Sequence, residues 1–241
     1  MTTPCVDCPL RHLPCFVPMT DAEVAFMQRM KRGELVVDAG TTILLEGSAS
    51  PQMFTVLDGV GLRYKTLEDG RRQVVNFAFP GDFIGLQAAV MGEMKHTFEA
   101  TTRMRLCVFD RGDLWMLYRN HPERAFALTW LASVEEHFLG DALTTIGQRD
   151  AAERIAWAFV QIWRRLAVLG LASAGWVPFP YRQQDLADAL GLSLVHTNKT
   201  LARLREAGLV SWAEGRLTVR DPKALEALAR LPDPPEPRPL M

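Results

Sequence analysis

The stretch QQDLADALGLSLVHTNKTLARLREA, residues 183–207, has the pattern of two short helices joined by a tight turn. Leu186 and Leu190 lie one helical turn apart, and Gly191 can adopt the left-handed conformation that ends a helix. Ser193 can cap a second helix. The apolar face predicted for that second helix consists of Leu194, Thr197, Leu201 and Leu204. This pattern is typical of a helix-turn-helix, whose second helix enters the major groove of DNA.

A predicted β-hairpin follows the second helix directly. After Gly208 come two short β runs, LVSW and RLTV, separated by the glycine-containing turn Ala213-Glu214-Gly215. The leucine spacing alone also suits an ordinary helical hairpin. The β-hairpin behind it favours a winged helix-turn-helix instead.

The outer side of this motif is polar and basic, which suits base edges and phosphates. The residues predicted to contact DNA are Arg182, Val195, His196, Thr197, Asn198, Lys199, Arg203 and Arg216. Among them, Arg182, Thr197, Arg203 and Arg216 are expected at phosphates, by their position on the motif. The whole chain has a net charge of −1, but residues 150–223 hold ten Lys and Arg against seven Asp and Glu. This modest basic surplus permits DNA binding.

The length and composition suggest one or two globular domains. The chain has 241 residues, and 48% of them are hydrophobic, which is enough to fill a core. No run approaches the roughly 18 apolar residues of a membrane span, and the first residues lack the features of a signal peptide. We therefore expect a cytoplasmic protein that does not use the membrane.

Residues 34–110 show the alternation and turn spacing of an all-β domain. The predicted strands are 35–37, 42–45, 53–57, 61–66, 73–79, 98–101 and 105–109. Glycine-containing turns separate most of them, at a spacing that suggests a sandwich, barrel or jelly roll.

A long helix is predicted to begin at Pro122, because proline favours the first position of a helix. An apolar stripe runs down this helix and is the predicted dimer interface: Leu131, Val134, Phe138, Ala142 and Ile146. Other apolar residues widen the surface beyond one seam, so we expect the helix to be covered by its own β domain and by a second copy. A further helix is predicted over residues 151–169.

Three of the four cysteines lie in the first fifteen residues, in a proline-rich leader. They are Cys5, Cys8 and Cys15, and Cys107 lies far from them in a predicted strand. Buried structural cysteines are usually scattered through a core, so this clustering indicates a function.

The order of these elements resembles the CRP/FNR family of bacterial transcription regulators, over residues 13–223. The supporting motifs are Glu46-Gly47, Leu57-Asp58-Gly59, Pro80-Gly81-Asp82-Phe83-Ile84-Gly85, Ala152-Glu153-Arg154-Ile155-Ala156 and the helix-turn-helix itself. The resemblance implies an α+β fold with an antiparallel, cyclic-nucleotide-binding-like β-roll, a long dimerisation helix and a C-terminal winged helix-turn-helix. The implied divisions are a leader at 1–18, a sensor roll at 19–120, the dimerisation helix at 121–149, the DNA-binding domain at 150–223, and a short helix with a proline-rich tail at 224–241.

The cysteines are similar to those of the FNR branch, whose oxygen sensors hold a [4Fe–4S] cluster. The resemblance implies that Cys5, Cys8, Cys15 and Cys107 bind such a cluster. Reduced structural cysteines, a thiol redox switch and zinc are the alternatives. His12 could substitute as a ligand but is expected to be a solvated loop residue, and His96 is expected to be a core histidine rather than a haem ligand.

Cyclic-nucleotide binding is not expected, because the segment after Gly92-Glu93 lacks the arginine of the Arg-Ser/Thr pair with which the family's nucleotide binders hold the phosphate. Lys95 could supply charge there, but not the bidentate contact that a phosphate favours. The second helix also departs from the family pattern, which has a glutamate and an arginine where this chain has Val195 and Lys199. Lys199 can donate to guanine, but Val195 cannot accept from cytosine, so the half-site should differ from the family's usual one.

The resemblance implies a homodimer on an inverted-repeat operator in double-stranded DNA, with RNA polymerase as a partner if the protein is an activator. An enzyme is the first rival, but the chain has no glycine-rich phosphate loop, nucleophile elbow or paired metal motif. The second rival is a redox- or metal-handling protein with an incidental helix-turn-helix.

Overall fold

The computed structural model describes residues 2–231, which form two compact units that divide between Glu135 and Glu136. The predicted α+β architecture is confirmed, with a β-roll, a long helix and a C-terminal winged helix-turn-helix. The predicted proline-rich tail lies outside the described residues, apart from Leu231. No helix within residues 2–231 combines the length and apolar character that crossing a bilayer requires.

The roll consists of two four-stranded antiparallel sheets. Its strands are β1 Lys31–Val37, β2 Thr42–Leu44, β3 Gln52–Asp58, β4 Gly61–Thr66, β5 Arg72–Ala78, β6 Phe83–Ile84, β7 Thr97–Ala100 and β8 Met104–Asp110. One sheet has the order β1-β8-β3-β6 and the other β2-β7-β4-β5. All seven predicted strands are present, and only the two-residue β6 was not predicted. Fully buried side chains such as Val56, Phe98 and Leu106 form the core of this roll.

The N-terminal leader packs on the roll. Although the leader is rich in proline, two short 3₁₀ helices form in it, at Cys5–Asp7 and Pro9–His12. Phe16 is buried against the turn that contains Gly81, where an added Cβ would lie 2.2 Å from the ring Cζ of Phe16. Gly81 also has a φ of +89°, so both the backbone and this close approach require glycine.

The helices around the roll are α1 Asp21–Met30, α2 Leu86–Met91, α3 Leu114–Asn120 and α4 Pro122–Gln148. The predicted start of the long helix at Pro122 is confirmed, whereas α2 was not predicted. Leu131 is only 4% exposed within the chain itself, so its assignment to the dimer interface is wrong. The most exposed apolar residues of α4 are Phe126, Leu139 and Leu143.

The second unit contains the end of α4 and the elements α5 Ala151–Val168, β9 Trp176–Pro178, α6 Gln183–Leu190, α7 Leu194–Glu206, β10 Val210–Ala213, β11 Arg216–Val219 and α8 Pro222–Ala229. The three strands form an antiparallel sheet in the order β10-β11-β9. Phe159 of α5 makes edge-to-face contacts with Phe179 and Trp212, and the indole of Trp212 donates to the carbonyl of Phe179 at 3.1 Å. This aromatic cluster joins α5 to the sheet.

An ion pair anchors α1 to the first turn of α4. Arg124 Nε donates to Glu23 Oε1 at 2.6 Å, and the backbone N–H of Thr20 donates to Glu23 Oε2 at 2.7 Å. Burial alone would raise the pKa of Glu23, but the hydrogen bonds from Arg124 and Thr20 outweigh it and lower that pKa to about 2. The ionised carboxylate therefore stabilises the folded state.

We expect Glu23→Gln to lower the free energy of unfolding at pH 7 by about 2 kcal/mol, because the buried Arg124 loses its charged partner. In the wild type, a lowered carboxyl pKa gives stability that is lost as the pH falls from the ordinary value of 4.5 towards 2, and the variant should lack this component. Urea unfolding between pH 7 and pH 2 measures both effects. Glu123→Gln, at an exposed site of α4, is the control, and an equal loss there would contradict the assignment.

Candidate nucleic-acid interface

The turn between α6 and α7 has the geometry of a helix-turn-helix. Gly191 ends α6 with a φ of +63°, and its backbone N–H donates to the carbonyl of Ala187. Ser193 caps α7, because its side-chain oxygen accepts from the backbone N–H of His196 at 3.2 Å. The predictions for Gly191 and Ser193 are therefore confirmed, and both helix ends are fixed locally.

The inner face of α7 differs in part from the predicted one. Thr197 and Thr200 are fully buried, and Leu204 is nearly so, whereas Leu194 is 39% exposed. Residues at this spacing share one side of a helix, and Leu194 lies in the first turn, beyond the buried part of that side. The assignment of Thr197 to a phosphate contact is wrong, because its side chain has no access to solvent.

The outer face of α7 carries the other predicted DNA-contacting residues of this helix. Val195, His196, Asn198, Lys199 and Arg203 are all exposed. Val195 is 64% exposed, so its methyl groups are accessible to a partner. This face combines hydrogen-bond donors, a methyl-bearing side chain and positive charge, which are the groups that contact base edges and phosphates.

Arg182 lies at the start of α6 and is held by a carboxylate that was not among the predicted site residues. Its guanidinium contacts both side-chain oxygens of Asp185, at 3.2 and 2.9 Å, and its backbone N–H donates to the same carboxylate at 2.8 Å. The Asp185 side chain is buried, whereas that of Arg182 is 69% exposed. Asp185 thus caps α6 and orients an exposed cation at its N-terminal end.

The wing is a tight hairpin that presents Arg216. Its two-residue turn, Glu214-Gly215, has φ values of +51° and +69°, which match the twist of the strands. The guanidinium of exposed Arg216 lies 4.5 Å from the ring centroid of Trp176 on β9. This cation–π contact holds Arg216 on the sheet. Trp176 was not among the predicted site residues, so this support for Arg216 was not anticipated from the sequence.

A second group of predicted residues lies at one edge of the roll. Cys107 on β8 is paired in register with Glu34 on β1. The Lys31 ammonium donates to Glu34 Oε1 at 2.7 Å and to the carbonyl of Thr3 at 2.6 Å, and Thr3 in turn donates its backbone N–H to Glu34. These bonds dock the leader on the strand pair.

The docked leader brings two cysteines towards Cys107. Besides burial, the neighbouring Cys8 contributes to raising the pKa of both Cys5 and Cys107. Burial raises the pKa of Cys107 to about 11, although Lys31 beside it acts in the opposite direction. Burial also raises the pKa of Cys5. This edge therefore holds two thiols with raised pKa values, those of Cys5 and Cys107, together with the ammonium group of Lys31.

The donor types at this edge fit an iron–sulfur cluster, since four cysteine thiols are the usual ligand set and three of them share the edge. Cys15 lies at the end of the same leader and is half-buried. However, no three His, Cys, Asp or Glu side chains among residues 2–231 converge on a point that could hold a metal ion. His12 is exposed.

The remaining candidate residues of the roll are His96 and Lys95. Burial and the cations Arg63 and Lys65 lower the pKa of His96 to about 4, so its imidazole is neutral at pH 7. Lys95 forms an ion pair with its neighbour Glu93. His96 is thus a largely buried neutral side chain, and the charge of Lys95 is directed to Glu93 rather than left available.

Comparison with known proteins gives independent information on both units. The cyclic nucleotide-binding domain family matches residues 34–121, and the Crp-like helix-turn-helix domain family matches residues 153–228. The nitrogen fixation regulation protein FixK of Bradyrhizobium diazoefficiens is 30% identical over 225 residues, which cover 93% of each chain. The transcriptional activatory protein AadR of Rhodopseudomonas palustris is 32% identical over 188 residues, or 76% of each chain. The structure of FixK2 from Bradyrhizobium japonicum has a TM-score of 0.74 at 26% identity, and covers 81% of this chain and 96% of that one.

A cyclic nucleotide-binding-like roll followed in the chain by a winged helix-turn-helix, whose second helix has an exposed polar face, defines a DNA-binding transcription regulator. The chain belongs to the CRP/FNR family of such regulators.

Proposed function

We propose that this protein is a homodimeric, sequence-specific regulator that binds an inverted-repeat operator in double-stranded DNA. The observation that carries the proposal is the division of α7 into a buried inner face and an exposed outer face with Val195, Asn198 and Lys199. A helix held in this way can enter the major groove in one orientation, because its inner side is fixed by the core of the domain.

The residues of the outer face take different roles at the DNA. Lys199 donates to guanine O6 and N7, and the methyl groups of Val195 pack on a thymine methyl. Arg203 and Arg216 neutralise phosphates, and Arg182, already paired with Asp185, adds a further phosphate contact through its exposed N–H groups. The expected half-site therefore contains a guanine for Lys199 and a thymine methyl for Val195, and it differs from the usual half-site of the family.

The second copy is expected to pack on the exposed stripe of α4. Ala132, Glu136, Leu139 and Leu143 are all exposed and follow the alternating spacing of four and three residues that a helix pair uses. Phe138 was first assigned to this interface, but its ring stacks on Trp157 of the same chain, at 5.8 Å between ring centroids. It is therefore not included in the proposed stripe. Two copies joined in this way would present their α7 helices about 34 Å apart.

The partners follow from this arrangement. Double-stranded DNA is the first partner, and the second copy of the chain is the next. The relative from Rhodopseudomonas palustris is named a transcriptional activatory protein. By that likeness we propose activation, with RNA polymerase as the partner that the DNA-bound dimer recruits.

A redox input is the second proposal, and the shared edge of Cys5, Cys8 and Cys107 supports it. We propose that these residues and Cys15 hold a [4Fe–4S] cluster, which supplies oxygen-sensitive redox chemistry when it is bound. The residues of this chain dock the leader, through the bonds of Thr3 and Lys31 to Glu34. Lys31 also places a positive charge beside Cys107, which favours the thiolate form that a metal ligand needs.

The Lys199 contact is tested with a duplex that the wild-type protein selects from a random-sequence pool. We expect Lys199→Ala to weaken binding by about 10- to 100-fold, since a lysine–guanine contact contributes about 1–3 kcal/mol. Fluorescence anisotropy measures the affinity. Lys223→Ala, which removes the same charge from exposed α8, is the matched control. Equal losses in the two variants would mean that Lys199 contributes only general charge.

The dimer interface is tested on the exposed leucines of α4. We expect Leu139→Glu with Leu143→Glu to convert a particle of about twice 27.0 kDa into one of 27.0 kDa, because two charged residues would face each other across the helix pair. Light scattering after gel filtration gives the mass. Val168→Glu, at another exposed apolar site, should leave the dimer intact. A wild-type protein that is monomeric both free and on DNA would rule out the proposed dimer.

The cluster is tested on protein purified without oxygen. We expect about four irons and four sulfides per chain, with a visible absorption that bleaches in air. Cys15→Ser and Cys107→Ser should each lose the iron, whereas His12→Ala should keep it. A colourless protein that contains no iron, or that contains zinc instead, would exclude the cluster.

A further inference from the structure

We propose that Arg154 is a positioning residue that locks the helix-turn-helix to the end of the dimerisation helix and thereby sets the half-site spacing which the protein accepts. Arg154 lies in the first turn of α5 and is half-buried. This inference rests on the proposed dimer and inverted repeat, because spacing has a meaning only for two linked reading helices.

The connection between α4 and α5 is short and would be a natural hinge. α4 ends at Gln148 and α5 begins at Ala151, so only Arg149 and Asp150 lie between them. Asp150 has an extended backbone, with φ −75° and ψ 172°, and its carboxylate accepts from the backbone N–H groups of Ala152 and Glu153. The capping fixes the start of α5, but nothing in this local motif fixes its angle to α4.

Besides the stacking of Phe138 of α4 on Trp157 of α5, Arg154 connects this region through two hydrogen bonds to carbonyl groups of different elements. Its Nε donates to the carbonyl of Arg149, directly after α4, at 2.9 Å. Its Nη1 donates to the carbonyl of Leu190, the last residue of α6, at 3.1 Å. The last carbonyls of a helix lack partners within the helix and carry partial negative charge, so one guanidinium satisfies two helix C-termini at once.

Packing at the same point supports this role. An added Cβ at Gly191, the glycine that ends α6, would lie 3.4 Å from Cγ2 of Ile146 and 3.9 Å from Nη1 of Arg154. The turn of the helix-turn-helix therefore rests directly on the last turn of α4, beside Arg154. The orientation of α7 relative to the end of α4 depends on this junction, because α7 begins three residues after Gly191.

This connection requires arginine, because two different nitrogens of one guanidinium, Nε and Nη1, donate the two hydrogen bonds. Lysine has one nitrogen at the end of a flexible stem, so Arg154→Lys can satisfy one carbonyl well but not both in a fixed geometry. Arg154→Gln loses the charge as well. Arg164→Gln is the matched control, because Arg164 is on the same helix and pairs with Glu226 of α8 at 2.9 Å, away from the junction.

The experiment uses the full-length protein and a series of duplexes that carry two copies of the selected half-site, with the spacer lengthened or shortened by one base pair. We expect the wild type to lose about tenfold or more in affinity on each change, because one base pair rotates a half-site by about a tenth of a turn. Arg154→Gln should bind the best spacing about tenfold more weakly, yet lose only about two- to threefold on a spacer change. Arg154→Lys should lie between them, and Arg164→Gln should keep the wild-type spacing profile.

The outcomes separate the two proposals. A wild-type protein with no spacing preference would overturn the proposed function, whereas an unchanged preference in Arg154→Gln would overturn only the role of Arg154. Hydrogen exchange of the free protein gives a readout without DNA. Loss of the junction should speed exchange at the amides of both Arg149 and Leu192, which donate to Thr145 and Ala187. Faster exchange at only one of them would contradict a shared connection.

Discussion

The burial of Thr197 and Thr200 on the inner face of α7 is the constraint on which the proposed DNA interface depends. A short helix with little apolar surface of its own is stable only when tertiary contacts hold one face. Here two small β-branched residues let α7 approach the core closely, and Leu204 completes the contact. The outer face is therefore oriented by what lies under it, and its polar residues do not have to contribute to stability.

The sequence predicted elements well where a pattern repeats and poorly where an element is short. Seven strands, the start of the long helix and the two helix ends at the turn of the helix-turn-helix were predicted from alternation, proline, glycine and a capping serine. The six-residue α2 and the two-residue β6 are too short to show a period. Periodicity also cannot tell which neighbour covers an apolar stripe, so Leu131 was assigned to a partner although its own chain buries it.

In the candidate site, too, the sequence pattern did not tell which polar residues are buried and which residues hold them in place. Val195, Asn198 and Lys199 were placed correctly on the exposed side of α7, whereas Thr197 suited either side by composition and was assigned to both. Asp185 and Trp176, which hold Arg182 and Arg216, were not recognised. Pairing between residues that are distant in sequence, such as Trp176 and Arg216, has no local signal, because a cation–π contact depends on sheet register.

The contact between Phe16 and Gly81 joins the leader to the roll, and it also limits which substitutions the two positions can accept. Because the ring occupies the volume that a side chain at position 81 would need, neither residue can change freely while the other stays. A lineage that shortened or lost the leader would uncover an apolar hollow on the roll and would have to refill it. The leader therefore forms part of the wall of the roll, whatever its cysteines bind.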